Sequence, residues 1–93
     1  MYALFIEVNA DESHTDEARK DLPETAVPMV REAGAKAGYW LAPQNGRGLS
    51  VSVFDSEDEA RQAASGIKVG GPAGRVPGVT VKTVEVREVL ANL

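Results

Sequence analysis

The sequence contains no cysteine and only one histidine, His14. Without cysteine there are no disulfide bonds, thiolate nucleophiles or thiolate metal sites, and one histidine excludes a multi-histidine metal site within a single chain. No apolar run approaches the roughly 20 residues that span a bilayer. The first residues, MYALFIEVN, carry no basic segment of the kind that begins a signal peptide. We therefore expect a cytoplasmic globular protein with no metal and no membrane segment.

Basic residues are also few. The formal net charge is -4, and the ten lysine and arginine residues are scattered between Arg19 and Arg87. A nucleic acid or an anionic membrane needs a basic face to neutralise phosphate, so neither is an expected partner. The 93 residues predict one domain, 1–93. A chain of this length buries only roughly 60 to 65% of its unfolded surface, and association is a common way for such a domain to gain stability.

The chain begins with a predicted strand, Tyr2 to Asn9, that is apolar on both faces for part of its length. Apolar residues at helical spacing then predict a first helix that ends at Gly34. Pro23 and Pro28 interrupt it, so the prediction is either a kinked helix or two short ones.

A second helix is predicted after Phe54. Ser56 and Glu59 have the spacing of a capping box. The glycine-rich segment Lys68 to Gly78 is a loop, and the sequence does not decide whether it is a lid or a plain connector. Val79 to Leu90 is a last strand whose apolar parity changes, which predicts a bulge near Lys82-Thr83.

The segment GYWLAPQNGRGLSVSVF, residues 38–54, predicts a β-hairpin. Asn45-Gly46 accepts positive φ at both central positions of a type I′ turn. A regular two-residue loop pairs Ala42 with Leu49 and Trp40 with Val51. Alternation of side chains then divides the hairpin into two faces. One holds Trp40, Leu49, Val51 and Val53, and the other holds Tyr39, Leu41, Ser50, Ser52 and Phe54.

The predicted order is therefore βαββαβ, a ferredoxin-like α+β fold with a four-stranded antiparallel sheet. Right-handed crossovers put both helices on one face of the sheet. Because both faces carry apolar residues, we expect a second copy of the chain to cover the other face as a homodimer.

Three local features suggest a family. They are Pro28 late in the first helix, the GYWL start of the hairpin, and Phe54-Asp55-Ser56-Glu57 leading into the second helix. With the order of elements, the chain resembles the antibiotic-biosynthesis-monooxygenase-like family of dimeric α+β barrels. The resemblance implies a barrel of two sheets from two chains and a cavity between each sheet and its helices. Members include cofactor-free oxygenases of aromatic polyketides, haem-degrading enzymes and proteins without a known activity.

The haem-degrading branch does not fit. Aligned on the first strand, Leu4 stands where that branch has an asparagine, and Phe54 stands at its tryptophan position. No histidine follows His14, so the axial ligand is missing. We therefore expect no haem and no other cofactor. His14 itself lies in a polar connection, where a solvated loop histidine is the expected outcome.

The Phe54 correspondence implies which face of the hairpin looks at the helices. It directs the Tyr39 and serine face into a ligand pocket and the Trp40 face into the dimer barrel. Two serines facing solvent are the alternative. If they line a pocket, replacing Ser52 with leucine is expected to stabilise the protein and abolish ligand binding. The expected pocket residues are Leu4, Ile6, Met29, Tyr39, Ser50, Ser52 and Phe54, and the expected dimer residues are Phe5, Trp40, Leu49, Val51 and Val53.

Two functions remain open at this point. The first is a monooxygenase-like protein that binds a small apolar or aromatic molecule between sheet and helices, with cofactor-free oxidation as the implied chemistry. In it Tyr39 orients a substrate oxygen and Phe54 stacks on the ring, but the sequence identifies no general base and no catalytic residue. The second is a non-catalytic homodimeric structural or accessory module that holds no ligand.

Overall fold

The computed structural model describes all 93 residues as one sheet with helices packed against it. In chain order the elements are β1 (Tyr2–Asn9), a 3-10 turn (Glu12–His14), α1 (Thr15–Asp21), α2 (Ala26–Glu32), β2 (Ala37–Gln44), β3 (Arg47–Phe54), α3 (Glu57–Ser65) and β4 (Thr80–Glu88). The strands are antiparallel in the order β2-β3-β1-β4. The predicted α+β class and four-stranded antiparallel sheet are confirmed, and the strand order is compatible with a ferredoxin-like arrangement.

The predicted first helix is divided into α1 and α2, so there are three helices instead of two. Pro23 lies in the turn between them, and this break is one of the two outcomes that the prolines predict. Pro28 lies in the first turn of α2, where the N–H that proline lacks would have no helical partner anyway. Pro28 therefore does not kink its helix, and Pro23 alone marks the break.

Local end signals are where the sequence puts them. Gly34 has φ 109°, and the N–H of Ala35 donates to the Val30 carbonyl at 3.0 Å, which is the Schellman pattern that ends α2. At the start of α3, the Ser56 hydroxyl accepts the Glu59 N–H at 3.2 Å. These contacts join residues close in sequence, which is why the pattern predicts them.

The hairpin turn is also confirmed. Asn45 and Gly46 have φ of 55° and 77°, and Gln44 pairs with Arg47 across the turn. The predicted register beyond the turn is wrong, because the ladder shifts after Leu41.

A bulge in β2 causes the shift. Two residues of β2, one of them Pro43, stand against one residue of β3, and proline has no N–H to donate to the ladder. Beyond the bulge Trp40 pairs with Ser50 and not with Val51. A slip of one residue moves every side chain of the strand to the other face. Trp40 therefore lies on the helix-covered face of the sheet, and Tyr39 lies on the open face.

The bulge predicted near Lys82-Thr83 is confirmed. Glu7 pairs with Thr83 but Val8 pairs with Val81, so Lys82 is the extra residue of β4.

The interior consists of two apolar groups on the helix-covered face. The first, called the packed core here, is Leu4, Val30, Phe54 and Ala60, which are between 0% and 5% exposed. The second, called the small cluster, is Ala10, Val76 and Val79, which are 7% to 9% exposed. With 12 of 93 residues buried, the isolated chain has a small core.

Candidate functional site

A cavity of about 290 Å³ lies between the sheet and the helices. Its floor is the helix-covered face of β1 and β3, α1 and α2 form one wall, and the loop 66–79 forms another. Most of the lining is apolar, which is typical of sites for small organic molecules. Its larger apolar lining residues are Ile6, Val8, Leu22, Met29, Trp40, Leu41, Pro43, Leu49, Ile67, Val76, Val79 and Val81.

Small residues and the helix break leave this space unfilled. Gly48 and Ser50 on β3 and Ala18 on α1 present almost no side-chain volume to the cavity. Gly48 has a packing reason, because a Cβ there would stand 2.8 Å from a methyl carbon of Val8. The turn at Pro23 separates the two helices above the floor. The cavity therefore follows from chain geometry and from side chains too small to fill it.

Some of the expected pocket residues line the cavity and others pack beside it. Ile6, Met29 and Ser50 line the cavity. Leu4 and Phe54 are 0% exposed in the packed core, beside the cavity rather than in it. The packed core and the cavity thus divide the helix-covered face between them.

Ser52 and Tyr39 require corrections. Ser52 is 4% exposed and pairs with Leu4, so a leucine there would enter packed structure and not the cavity. Tyr39 is 64% exposed and pairs with Val51 on the open face. Its side chain is therefore not available to orient a ligand in this cavity. The bulge in β2 is the reason for the Tyr39 correction, because it reverses the faces of β2 predicted from strict alternation.

The expected dimer residues divide in the same way. Phe5, Leu49, Val51 and Val53 share the open face of the sheet, because Phe5 pairs with Val51 and the other two alternate with Val51 along β3. Leu49, near the turn, also borders the cavity. Trp40 does not share it. Trp40 packs beside the packed core and lines the cavity.

His14 lies at the cavity wall and is not a solvated loop residue. Its side chain is 21% exposed, and its Nδ1 accepts the Asp11 N–H at 3.2 Å. The Asp11 carboxylate in turn accepts the Ser13 N–H at 2.8 Å. Hydrogen bonds from the Ser13 hydroxyl and N–H, together with the charge that His14 carries when it is protonated, hold the pKa of Asp11 below its usual value. Asp11 and His14 cap the 3-10 turn reciprocally, and no pattern in the sequence indicated the cavity beside them.

The loop 66–79 is fixed over the cavity by Asp21 and Arg75. The Arg75 Nε donates to Asp21 Oδ1 at 2.7 Å, and the Arg75 backbone N–H donates to Asp21 Oδ2 at 3.2 Å. Arg75 also reaches Glu24 at 2.9 Å. Burial by itself would raise the pKa of Asp21, but the hydrogen bonds and charge of Arg75 outweigh it and lower the pKa. We call this contact the Asp21–Arg75 clasp.

The clasp also requires a glycine. Gly74 has φ 69°, and a Cβ there would stand 2.7 Å from Asp21 Oδ2. The loop is further tied to β4, since the Gly70 N–H donates to the Val81 carbonyl at 2.7 Å and the Val81 N–H donates to the Gly71 carbonyl at 2.9 Å.

Glu7 is a second charged group held in the sheet, on the open face. Its side chain is 11% exposed and lies 2.6 Å from Arg47 and 3.7 Å from Lys82. The Arg47 hydrogen bond lowers the pKa of Glu7, against the opposing effect of burial. Glu7 is therefore a paired charge on the face that also carries Phe5 and Val51.

The comparisons add no relatives. A scan against protein-family models and searches of curated proteins and of solved structures found no match to this chain. The family resemblance therefore stays a prediction from the sequence. No group of three or more histidine, cysteine, aspartate or glutamate side chains is arranged to hold a metal ion, and none of the helices has the length and apolar character needed to cross a membrane.

Proposed function

We propose that this protein binds a small, largely apolar molecule with an aromatic or alicyclic ring in the cavity between its sheet and its helices. The observation that carries the proposal is the cavity itself, about 290 Å³ with a mainly apolar lining. This volume is at the low end of the range of roughly 300 to 1,000 Å³ typical of ligand sites. A ligand with one or two rings therefore suits it better than a large cofactor such as haem.

Trp40 supports an aromatic or alicyclic ligand. It lines the cavity and provides a broad apolar surface with one N–H donor. The small side chains of Gly48 and Ser50 leave the neighbouring floor flat. A flat ring can pack on such a floor with its edge toward Trp40.

Binding is tested with a panel of small planar molecules, including naphthols, indoles, quinols, flavin and haem, at fixed protein concentration. A ligand at about 100 times its dissociation constant adds roughly 2.7 kcal/mol of stability, and a domain of this size gains roughly 4–8 °C per kcal/mol. Trp40 is the only tryptophan, so its fluorescence reports occupancy of the cavity directly. A melting shift of roughly 11–22 °C, the product of these two figures, with a matching change in Trp40 emission supports the proposal.

Cofactor-free oxidation is the chemical extension of this proposal and rests on the family resemblance. Such a reaction converts a ring CH₂ and O₂ into C=O and water, with the substrate supplying the electrons. The cavity would position the substrate and exclude water. The test is whether one O₂ is consumed for each molecule of an anthrone-type substrate, which carries such a ring CH₂. Binding without oxygen consumption leaves the binding function and contradicts the oxidation.

The alternative function is a homodimeric module that holds no ligand. The packed core favours it, since Leu4 and Phe54 are 0% exposed and leave no space in that half of the protein. Absence of any melting shift and of any change in Trp40 emission across the panel favours this alternative over ligand binding.

Under either function we propose a homodimer formed through the open face of the sheet, as in a dimeric α+β barrel. Phe5, Val51 and Val53 are only half buried there, and Tyr39 is 64% exposed. A second copy would bury these side chains and enlarge an interior of only 12 buried residues.

Sedimentation of Val51→Glu tests the dimer. At the centre of a self-complementary interface, two glutamates would repel each other and their carboxylates would lose hydration. The variant is therefore expected to sediment as a monomer. Arg31→Glu changes charge at an exposed position of α2, on the helix side of the sheet, and is expected to leave the dimer intact. A wild-type protein that is monomeric at every concentration measured contradicts the dimer.

A further inference from the structure

His14 lines the cavity, and only one of its two ring nitrogens, Nδ1, forms a hydrogen bond within the 3-10 turn. His14 Nδ1 accepts the Asp11 N–H at 3.2 Å, so Nδ1 carries no proton in the neutral ring. The hydrogen bond therefore assigns the proton to Nε2. This makes Nε2 a hydrogen-bond donor in the neutral state.

Nε2 lies beside Gly78 in the loop 66–79, at the edge of the cavity that His14 lines. A Cβ added to Gly78 would stand 3.7 Å from His14 Nε2, and His14 is part of the cavity lining. The His14 side chain is 21% exposed, so part of the imidazole remains accessible. A ligand seated in the cavity would bring its edge to this donor.

Asp21 is the other ionisable group of the lining, and it is already engaged. Its oxygens accept from the Arg75 Nε at 2.7 Å and from the Arg75 N–H at 3.2 Å, and Thr25 donates to it at 3.3 Å. Asp21 therefore fixes the loop, while His14 remains for a ligand.

We propose that His14 is the polar recognition residue of the cavity and that the ligand carries a neutral oxygen acceptor, a carbonyl or a phenol oxygen, on its apolar ring. This inference rests on the proposed binding function and names its ligand class. A neutral oxygen fits better than a carboxylate, because Asp11 and Glu12 precede His14 and repel negative charge. Nε2–H donates to the ligand oxygen, and the ring occupies the apolar floor.

A matched pair of probes tests this inference, tetralin and 1-tetralone. They differ only in one ring CH₂ that is a carbonyl in 1-tetralone. Dissociation constants for both are measured from Trp40 fluorescence with wild type, His14→Phe and His14→Gln. The quantity compared is the ratio of the tetralin constant to the 1-tetralone constant, because this ratio cancels the apolar part of binding and any general loss of affinity.

A net hydrogen bond of the usual strength corresponds to roughly a 2- to 12-fold difference in affinity. His14→Phe is therefore expected to lower the ratio by roughly 2- to 12-fold relative to wild type, with tetralin still bound. His14→Gln is the conservative variant, since its amide N–H can take the place of Nε2–H, and it is expected to recover at least part of the wild-type ratio.

The outcomes separate the inference from the function on which it rests. An unchanged ratio in His14→Phe, with both probes bound, overturns the role of His14 and leaves the binding function intact. Failure of wild type to bind either probe or any panel member overturns both. If His14→Phe does not fold, His14→Leu, which also lacks a hydrogen-bond donor, takes its place. A ratio lowered by roughly 2- to 12-fold supports the role of His14, and an unchanged ratio overturns it.

Discussion

Filling the cavity from Ser50 is the perturbation that tests the site most directly. Ser50 lines the cavity floor and pairs with Ile6 on one side and Trp40 on the other. Leucine replaces the hydroxyl with three carbon atoms that point into the cavity. At about 0.8 kcal/mol per buried carbon, full burial would give roughly 2.4 kcal/mol.

The cavity is partly open to solvent, so about 1 kcal/mol is the expected gain in the free energy of unfolding of Ser50→Leu. For a domain of this size that is an increase of roughly 4–8 °C in Tm. The same side chain occupies ligand space, so the melting shift and the Trp40 emission change caused by the best panel ligand are expected to disappear.

Ser52→Leu is the matched control, two residues along the same strand and on the same face. Ser52 is 4% exposed and pairs with Leu4 of the packed core, so the added carbons have no space. Overpacking of this kind costs typically 1–3 kcal/mol. Thermal and chemical unfolding of the two variants should therefore move in opposite directions.

If Ser50→Leu loses as much stability as Ser52→Leu, the space above Ser50 is not available in solution. If Ser50→Leu is stable but still binds the ligand with wild-type affinity, the ligand binds elsewhere.

Two further predictions follow from the packing and the clasp. Leu4→Ala removes a side chain that is 0% exposed and is expected to lower the free energy of unfolding, measured in urea, by about 2–5 kcal/mol. Ile6→Ala widens an existing cavity and is expected to lower it less. Equal losses in the two variants would contradict the division into packed core and cavity. Asp21→Asn weakens the clasp, so faster hydrogen exchange is expected at Gly70 and through the loop, while Glu24→Gln, which removes only the outer contact of Arg75, should change it less. Because the folded-state pKa of Asp21 is lowered from an ordinary value of 3.8, the stability that it contributes is present above that value and is lost as pH falls below it. The stability difference between wild type and Asp21→Asn should therefore shrink in acid, and a difference that is constant with pH would contradict the lowered pKa.

Much of the fold could be predicted because its signals are local. The Asn45-Gly46 turn, the Ser56 cap and the Gly34 stop each depend on backbone conformations that particular residues favour. The bulge near Lys82 was also visible, as a change in the parity of valines along one strand. Secondary structure and strand pairing partners follow from such signals.

The faces of the hairpin depended on a bulge that strict alternation does not predict. The bulge at Pro43 reversed the faces of β2, so Trp40 entered the helix-covered side and Tyr39 left it. A period of two makes every face assignment depend on the whole register, and a single inserted residue inverts it. Pro43 inside a predicted strand was the one warning.

The sequence by itself determined the class of the fold, its four strands, its turn and its helix ends, because these depend on neighbouring residues. Only the tertiary structure decided what faces the cavity. His14 meets Gly78, and Asp21 meets Arg75 across 54 residues, through folding that brings the loop 66–79 over α1. Contacts between such distant segments arise from how the elements pack, and no spacing within either segment specifies them.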